Sequence, residues 1–229
     1  MNHPNILIIE TATQVCSVAL AAGNTLIALK ETQKENSHSA LINAFIIEVL
    51  KQASLNFEDL NAIAISEGPG SYTGLRIGAS AAKALAYSLN VPLIAFNTLK
   101  SLAAGIAEKL THNNHFQYIS TIDARRDELY LAIYDHELKE LLQPCNMVLP
   151  NTHLNELLNI KKCIIVGNAA IKLSDFQEFE HKIKNELINY SASNAVGLVN
   201  NLYNLNVIAD TAYFEPNYIK PFYSKAQIK

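Results

Sequence analysis

Asn5-Ile6-Leu7-Ile8-Ile9-Glu10-Thr11-Ala12-Thr13-Gln14-Val15-Cys16-Ser17-Val18-Ala19-Leu20-Ala21-Ala22-Gly23-Asn24-Thr25-Leu26-Ile27-Ala28-Leu29 carries three strand signals in succession. Ile6–Ile9 is an unbroken apolar run, Val15–Ala21 is rich in small apolar residues, and Thr25–Leu29 follows Gly23-Asn24, a pair suited to a hairpin turn. The reading is a three-stranded meander. Beyond it the period changes. A helix is expected over Ser39–Ala53 with Ser37 or Ser39 as N-cap, then a strand Ala62–Ser66, a glycine-punctuated loop, a helix from about Thr73 to Leu89, and a strand Leu93–Phe96. The order is β-β-β-α-β-α-β.

That order resembles one lobe of the fold shared by actin, hexokinase-type sugar kinases and the Hsp70 ATPase domain. By this analogy the chain is α/β, with a two-lobe actin-like (ASKHA, ribonuclease H-like) architecture in which each lobe is a mixed sheet with flanking helices. After a helical segment Leu99–Leu110, the polar cluster Thr111-His112-Asn113-Asn114-His115 reads as a linker, and strands resume at Gln117–Ile122 and Leu129–Tyr134. The expected division is an N-terminal lobe, 1–110, and a C-terminal lobe, 111–229. The second half offers a short strand Cys163–Val166, a helical segment from Asn194 to about Leu205, and an extended tail, 208–229, that packs back.

At 229 residues, 49% hydrophobic and 17% charged, the composition is that of a globular protein with a sizeable core. Eighteen basic residues against twenty-one acidic ones leave a net charge of -3, so the chain lacks the broad positive field that would hold nucleic acid alone. Any RNA role requires a partner. The longest uncharged stretches, Thr11–Leu29 and Leu187–Ala209, are interrupted by Thr, Gln, Gly or repeated Asn, which argues against a membrane span. No Lys or Arg precedes the run Ile6–Ile9 and Glu10 ends it, so a secretory signal is not expected and the cytoplasm is the expected location. Cys16, Cys145 and Cys163, odd in number and widely spaced, fit reduced core thiols better than disulfides or a zinc site.

Glu67-Gly68-Pro69-Gly70-Ser71-Tyr72-Thr73-Gly74-Leu75-Arg76-Ile77-Gly78, joining a buried strand to a helix, is the most informative segment; its four glycines are half of the eight in the chain. Gly68, Gly70 and Gly74 allow close backbone approach, and Ser71 or Thr73 can cap the helix, so an anion or a partner could be received here. The lysine of a G-x-x-x-x-G-K-[ST] phosphate loop is missing. The residues themselves leave open a tight structural turn and a ligand or partner loop.

Together with Ile6-Leu7-Ile8-Ile9-Glu10-Thr11-Ala12-Thr13, Cys16-Ser17-Val18-Ala19-Leu20, His38-Ser39, Val91-Pro92 and Ile122-Asp123-Ala124-Arg125, this loop resembles the bacterial TsaB (YeaZ) family in order and spacing. The match covers roughly 5–134, with a weaker echo at Pro216-Asn217-Tyr218. The resemblance implies a noncatalytic partner subunit for threonylcarbamoyl (t6A) modification of adenosine 37 in ANN-decoding tRNAs. It also implies pairing with a TsaD-like transferase paralogue, recruitment of a TsaE-like ATPase, and contact with tRNA through the complex. In that family the N-lobe helices pair with TsaD and otherwise self-associate, so a homodimer in isolation is expected. Departures are Ala40 and Ala44, where the family usually has Glu and Pro, and Tyr72 in place of the more frequent Phe.

The catalytic paralogue follows a similar loop and helix with a His-x-x-x-His metal pair. Alignment with this chain brings those histidines onto Thr98 and Leu102, neither able to ligate a metal, so no metal site is expected. His112 and His115 sit in the Asn-rich linker and read as solvated. Kinases of this fold place an acid and a glycine turn after strand 1, whereas Glu10-Thr11-Ala12-Thr13 has acid and hydroxyls but no glycine. Glu10 is read as a buried, hydrogen-bonded carboxylate, with a former metal-positioning acid as the alternative. No cofactor bound tightly by this chain alone is expected, while ATP or ADP at the complex interface is compatible. The competing functions are an autonomous ATP-dependent small-molecule kinase and a glycoprotease-like metallopeptidase.

Asp123-Ala124-Arg125-Arg126-Asp127-Glu128 reads either as an ion-pair cluster or as a groove in which Arg125 and Arg126, with Glu10 and Thr11, meet a partner or RNA. Two helices are more apolar than one core contact requires. Leu41, Ile42, Phe45, Ile46 and Val49 belong to an arc of about half the circumference at roughly 100° per residue. Leu75, Gly78, Ala81, Ala82 and Leu85 set small or apolar residues at helical spacing, with Arg76 and Lys83 the only charges between Leu75 and Leu89. Both faces could pack on the sheet or offer a stripe to a second subunit.

Overall fold

The computed structural model describes residues 3–34, 37–110, 116–150, 163–173 and 190–220. The meander forms as β1 (Asn5–Glu10), β2 (Cys16–Ala22) and β3 (Thr25–Thr32). Gly23 turns the second hairpin at φ 59°, a left-handed conformation that glycine takes without a Cβ clash. Helix α1 (His38–Ala53), β4 (Ala62–Gly68), α2 (Tyr72–Leu89), β5 (Leu93–Asn97) and α3 (Thr98–Lys109) follow. The sheet order is β3-β2-β1-β4-β5, with β1 antiparallel to β2 and parallel to β4. This is the mixed sheet that the actin-like reading expects.

Helices cover one face of that sheet, and the opposite face is also covered, which explains why its inner strands read as unbroken apolar runs. Leu7, Ile9, Val18, Leu20, Ile63 and Ile65 pack beneath Ile42, Ile46, Val49, Ala82 and Ala86 of α1 and α2. Ile6, Ile8, Ala19, Ile94 and Phe96 face Ala192, Ala195, Val196 and Val199. The second sheet comprises, among the described residues, β6 (Gln117–Asp123), β7 (Glu128–Tyr134), β8 (Glu140–Val148) and β9 (Cys163–Val166), in the order β8-β7-β6-β9. Its inner face packs Tyr118, Ile122, Tyr134 and Ile164 on Leu99, Leu102 and Ile106 of α3, with Val15 from the turn between β1 and β2 joining them. Val15 thus knits the two halves.

Several expectations are corrected. Ser37 takes the N-cap position of α1, one of the two expected, but its hydroxyl donates to the Lys34 carbonyl and makes no capping bond; Ser39 lies inside the first turn. Of the two candidate caps of α2, Ser71 is the one used, its Oγ accepting from the Gly74 amide at 3.2 Å; Thr73 is helical. Strand β8 was not read from the sequence because Pro144 interrupts it; on a sheet edge a proline removes no essential ladder bond.

Part of the segment assigned to the second lobe packs on the first sheet. The 3-10 turn Ala192–Ala195 and α4 (Val196–Asn204) pack on the first sheet, because their apolar side chains complete its second face. The chain then runs back along β5, where the Ala209 amide donates to the Leu93 carbonyl at 2.8 Å. The linker Thr111–His115 and the tail beyond residue 220 lie outside the described residues. All three cysteines are free; Cys16 is fully buried, and burial pushes its thiol up to about 11, which keeps it unreactive.

Candidate functional site

Three features meet around the N-terminus of α2: the glycine loop, a cleft between the two sheets, and a groove between α1 and α2.

The glycine loop receives the chain's own backbone. A Cβ on Gly70 would overlap the Ala12 carbonyl oxygen, one on Gly74 the Thr11 carbonyl oxygen, and one on Gly78 the Thr11 hydroxyl. The Ser71 amide donates to the Ala12 carbonyl at 2.6 Å. The loop therefore holds the β1–β2 turn, and the Ser71 and Gly74 amides are engaged within it. Gly68 is left-handed at φ 110°, and a side chain there would press on the Asn217 carbonyl of the C-terminal segment. Of the alternatives left open by the residues, the geometry favours the structural turn at Gly70 and Gly74. Ser71 and Thr73 remain exposed at the cleft.

Glu10 closes the same turn from the other side. Its carboxylate accepts from the Ala12 amide at 2.7 Å, and the residue is 1% exposed. Burial raises its pKa to about 7, against the lowering effect of bonds from Ala12, Ser66 and Thr11. Thr11 is fully buried beside Gly78, and its hydroxyl has no hydrogen-bond partner among the described residues. Glu10 and Thr11 thus lie behind the cleft rather than on its wall.

The cleft itself has a volume of about 780 Å³ and reaches from Thr13 and Gly70 of the first sheet to Asp123, Arg125 and Asn168 of the second. Arg126 is exposed beside it. Burial pushes the Asp123 carboxyl up, but Lys172 at 2.7 Å and the Arg125 amide outweigh this and hold it below the usual range. The ion-pair reading is met for Asp123 and Glu128, but by Lys172 and Lys220 rather than by the neighbouring arginines. A third wall comes from the C-terminal segment, where Asn217 donates its amide to the Glu67 carbonyl at 2.7 Å and Tyr218 stacks on Tyr72 with ring centroids 4.9 Å apart. The Arg76 guanidinium lies over the Tyr72 ring, 4.6 Å from its centroid. Sequence reasoning named Lys83 only as a charge on α2 and missed Lys172 and Tyr190 altogether. Tyr190 bonds the Thr121 carbonyl and the Asn168 amide, a role for which an isolated tyrosine gives no sequence signal.

The ten helix-face residues divide. Ile42, Ile46, Val49, Leu75, Gly78 and Ala82 are buried within the lone chain and hold the helices on the sheet, which corrects the expectation that they face a partner. Leu41, Phe45, Ala81 and Leu85 are half-buried, while Ile47 is 59% exposed. A groove of about 700 Å³ runs between the helices, lined by Asn43, Arg76, Ile77, Ala81 and Ala84 among others. Ala40 and Ala44 lie exposed on α1. Thr98 and Leu102, where the paralogue's histidines would fall, are packed in the core at 1% exposure each. Among the described residues no three His, Cys, Asp or Glu side chains lie close enough to share a metal; His112 and His115 lie outside those residues. No helix of the described residues is long and apolar enough to cross a membrane.

A family model described as TsaD, tRNA N6-adenosine threonylcarbamoyltransferase, matches residues 28–220. The tRNA threonylcarbamoyladenosine biosynthesis protein TsaB of Bacillus subtilis is 35% identical over 149 residues, 63% of this chain and 62% of that protein. Here the match spans about three fifths of the relative's length. The TsaB protein of Buchnera aphidicola subsp. Schizaphis graminum is 33% identical over 187 residues, 77% of this chain and 85% of the relative. The structure of YeaZ from Pseudomonas aeruginosa superposes with a TM-score of 0.76, covering 94% of this chain and 99% of that one; at 21% identity it shows a shared fold alone. With the TsaB-type strings on β1, β2 and the glycine loop seated as described, the chain belongs to the TsaB (YeaZ) family.

Proposed function

We propose that this chain is a noncatalytic subunit in tRNA threonylcarbamoyladenosine biosynthesis that binds and activates a TsaD-like transferase through the groove between α1 and α2. The observation that carries the reading is the closed glycine loop. Gly70 and Gly74 are filled by the Thr11–Ala12 backbone, so the turn after β1, where kinases of this fold carry a glycine turn beside the phosphates, is here packed against the loop as part of the scaffold. The adjacent groove is open and lined in part by Ile77, Ala81 and Ala84, small and apolar side chains that let another helix approach closely. The relatives' names supply the process, and the loop supports the division of labour.

On this reading the chain alone forms a homodimer through the same groove, a TsaE-like ATPase joins the heterodimer, and ATP or ADP is held at the assembled interface rather than by this chain. The complex works in the cytoplasm. The test mixes the purified chain with its organism's transferase paralogue and unmodified tRNA. A stable complex is expected, with modification dependent on both proteins. Full activity from the paralogue alone, or tight ATP binding with turnover by this chain alone, overturns the reading.

A further inference from the structure

We propose that the turn between β6 and β7 is an RNA-phosphate contact, with Arg125 and Arg126 gripping the tRNA backbone at the mouth of the interlobe cleft. The inference rests on the functional reading above and assigns the surface through which this chain touches the substrate RNA.

Arg125 and Arg126 stand at φ 69° and 50°, two consecutive non-glycine residues in the left-handed region. Each side chain costs conformational energy there, and such a conformation persists only where surrounding contacts over-determine it. Those contacts are present. Lys172 reaches across from the residues after β9, and its Nζ donates to the Asp123 carboxylate at 2.7 Å, the Arg126 carbonyl at 2.6 Å and the Glu128 carbonyl at 2.9 Å. The Asp123 carboxylate also accepts from the Arg125 amide at 2.7 Å, and the Asp123 amide donates to the Asn168 side chain at 2.8 Å. These five bonds add to the turn's own backbone pairs, Ala124 amide to Glu128 carbonyl and Glu128 amide to Arg125 carbonyl, and none of them uses an arginine side chain.

Of the three acids that flank them, Asp123, Asp127 and Glu128, two are occupied by lysines. Asp123 is paired with Lys172, and Glu128 with Lys220 at 2.7 Å. Among the described residues neither Arg125 nor Arg126 makes an ion pair, and both are exposed. Two exposed guanidinium groups, presented side by side on a turn whose backbone is held, match the oxygens of adjacent phosphates.

RNA, rather than an acidic protein surface, is favoured by what surrounds them. The cleft at this turn carries Thr13, Gln14, Asn168 and Asn217, with the rings of Tyr130 and Tyr218. Hydroxyls and amides suit ribose and phosphate oxygens, and tyrosine rings offer stacking faces to unpaired bases. The small and apolar surface suited to protein lies instead between α1 and α2. The net charge of -3 limits the chain alone to weak binding, so the turn positions RNA within the complex.

The experiment measures binding of unmodified tRNA against salt concentration, with the assembled complex and in parallel with the chain alone at low salt. It compares the wild type, Arg125→Ala/Arg126→Ala and Arg125→Lys/Arg126→Lys; thermal melting of each variant checks that the exposed substitutions leave the fold intact. The alanine pair is expected to weaken binding by the complex about tenfold and to flatten the log–log salt slope by about 1 to 2, the loss of two phosphate contacts. Assembly with the transferase remains unchanged, and the lysine pair recovers the slope. Unaltered affinity and slope in both formats overturn the proposal. So does an alanine pair that abolishes assembly while leaving RNA binding by the chain alone unchanged, which assigns the turn to a protein contact. Failure of the wild-type chain to assemble defeats the functional reading instead, and the low-salt arm then decides the arginines by itself.

Discussion

Glu10 sits where a nucleotide-using member of this fold would hold its acid, yet here its carboxylate turns back on the Ala12 amide and is sealed from solvent. Burial raises its folded pKa to about 7 from an ordinary 4.5. The folded state therefore holds the proton more tightly than the unfolded one. The stability from this group is complete below pH 4.5 and is lost as pH rises through about 7, a decline of about 3 kcal/mol in all at about 1.4 kcal/mol per unit. Glu10→Gln keeps an oxygen for the Ala12 amide and cannot ionise. Urea unfolding is expected to give equal stabilities near pH 4.5 and a more stable variant above pH 7.5; parallel pH profiles would refute the buried-acid account. Gly74 makes a second test. At an ordinary helical position Gly→Ala gains about 1 kcal/mol, but here the methyl meets the Thr11 carbonyl, and backbone yields less readily than a side chain. Overpacking of this kind costs about 1–3 kcal/mol, so Gly74→Ala should lower the melting temperature rather than raise it.

At the scale of elements, α1 and α2 show what periodicity carries and what it omits. Both helices were readable because their apolar residues recur at helical spacing. Which part of the arc meets the sheet and which faces outward was not, since a half-circumference of apolar residues reads the same in either role. Burial separates them. Ile42 is core, and Ile42→Ala should cost about 2–5 kcal/mol in chemical unfolding. Ala84 is exposed on the groove. Ala84→Arg should leave unfolding unchanged within about 0.5 kcal/mol but reduce transferase binding at least tenfold in calorimetry, because a long charged side chain fills the groove and would be desolvated by a docking helix. Undiminished binding removes the groove from the interface. The same distinction explains the legible and illegible parts elsewhere. Strands β1 and β4 are continuous Ile/Leu/Ala runs buried on both faces, whereas β8 mixes Gln143, Pro144 and Asn146 on a sheet edge, where half-exposed positions impose no pattern. The Arg125–Arg126 turn was legible as a charge cluster, but its presentation depends on Lys172, far away in sequence.

Across the whole molecule, the C-terminal segment ties together surfaces that the linear order keeps apart. After α4 it crosses from β5 over α2, where the half-buried Lys83 donates to the Ala212 and Phe214 carbonyls, both at 3.0 Å, and Phe214 packs against the core under the helices. It then bonds Glu67 through Asn217, stacks Tyr218 on Tyr72 and ends at the second sheet with Lys220 on Glu128. Tyr72 lines both the groove and the cleft, so the strap supports a side chain common to the two. Its single lysine anchor on α2 makes the arrangement testable. Lys83→Met keeps the aliphatic stem over the strap but removes both donors, at a cost of about 1–3 kcal/mol for hydrogen bonds from a charged group. Because the strap opens locally rather than with the core, the loss should appear first in its own backbone. Amide exchange at Phe214 and Asn217 is expected to rise at least tenfold, with β1 and β4 amides unchanged. Uniform acceleration throughout the chain would instead make the strap part of the global folding unit, and unchanged exchange at Phe214 would show that its ring, not Lys83, is the fastening.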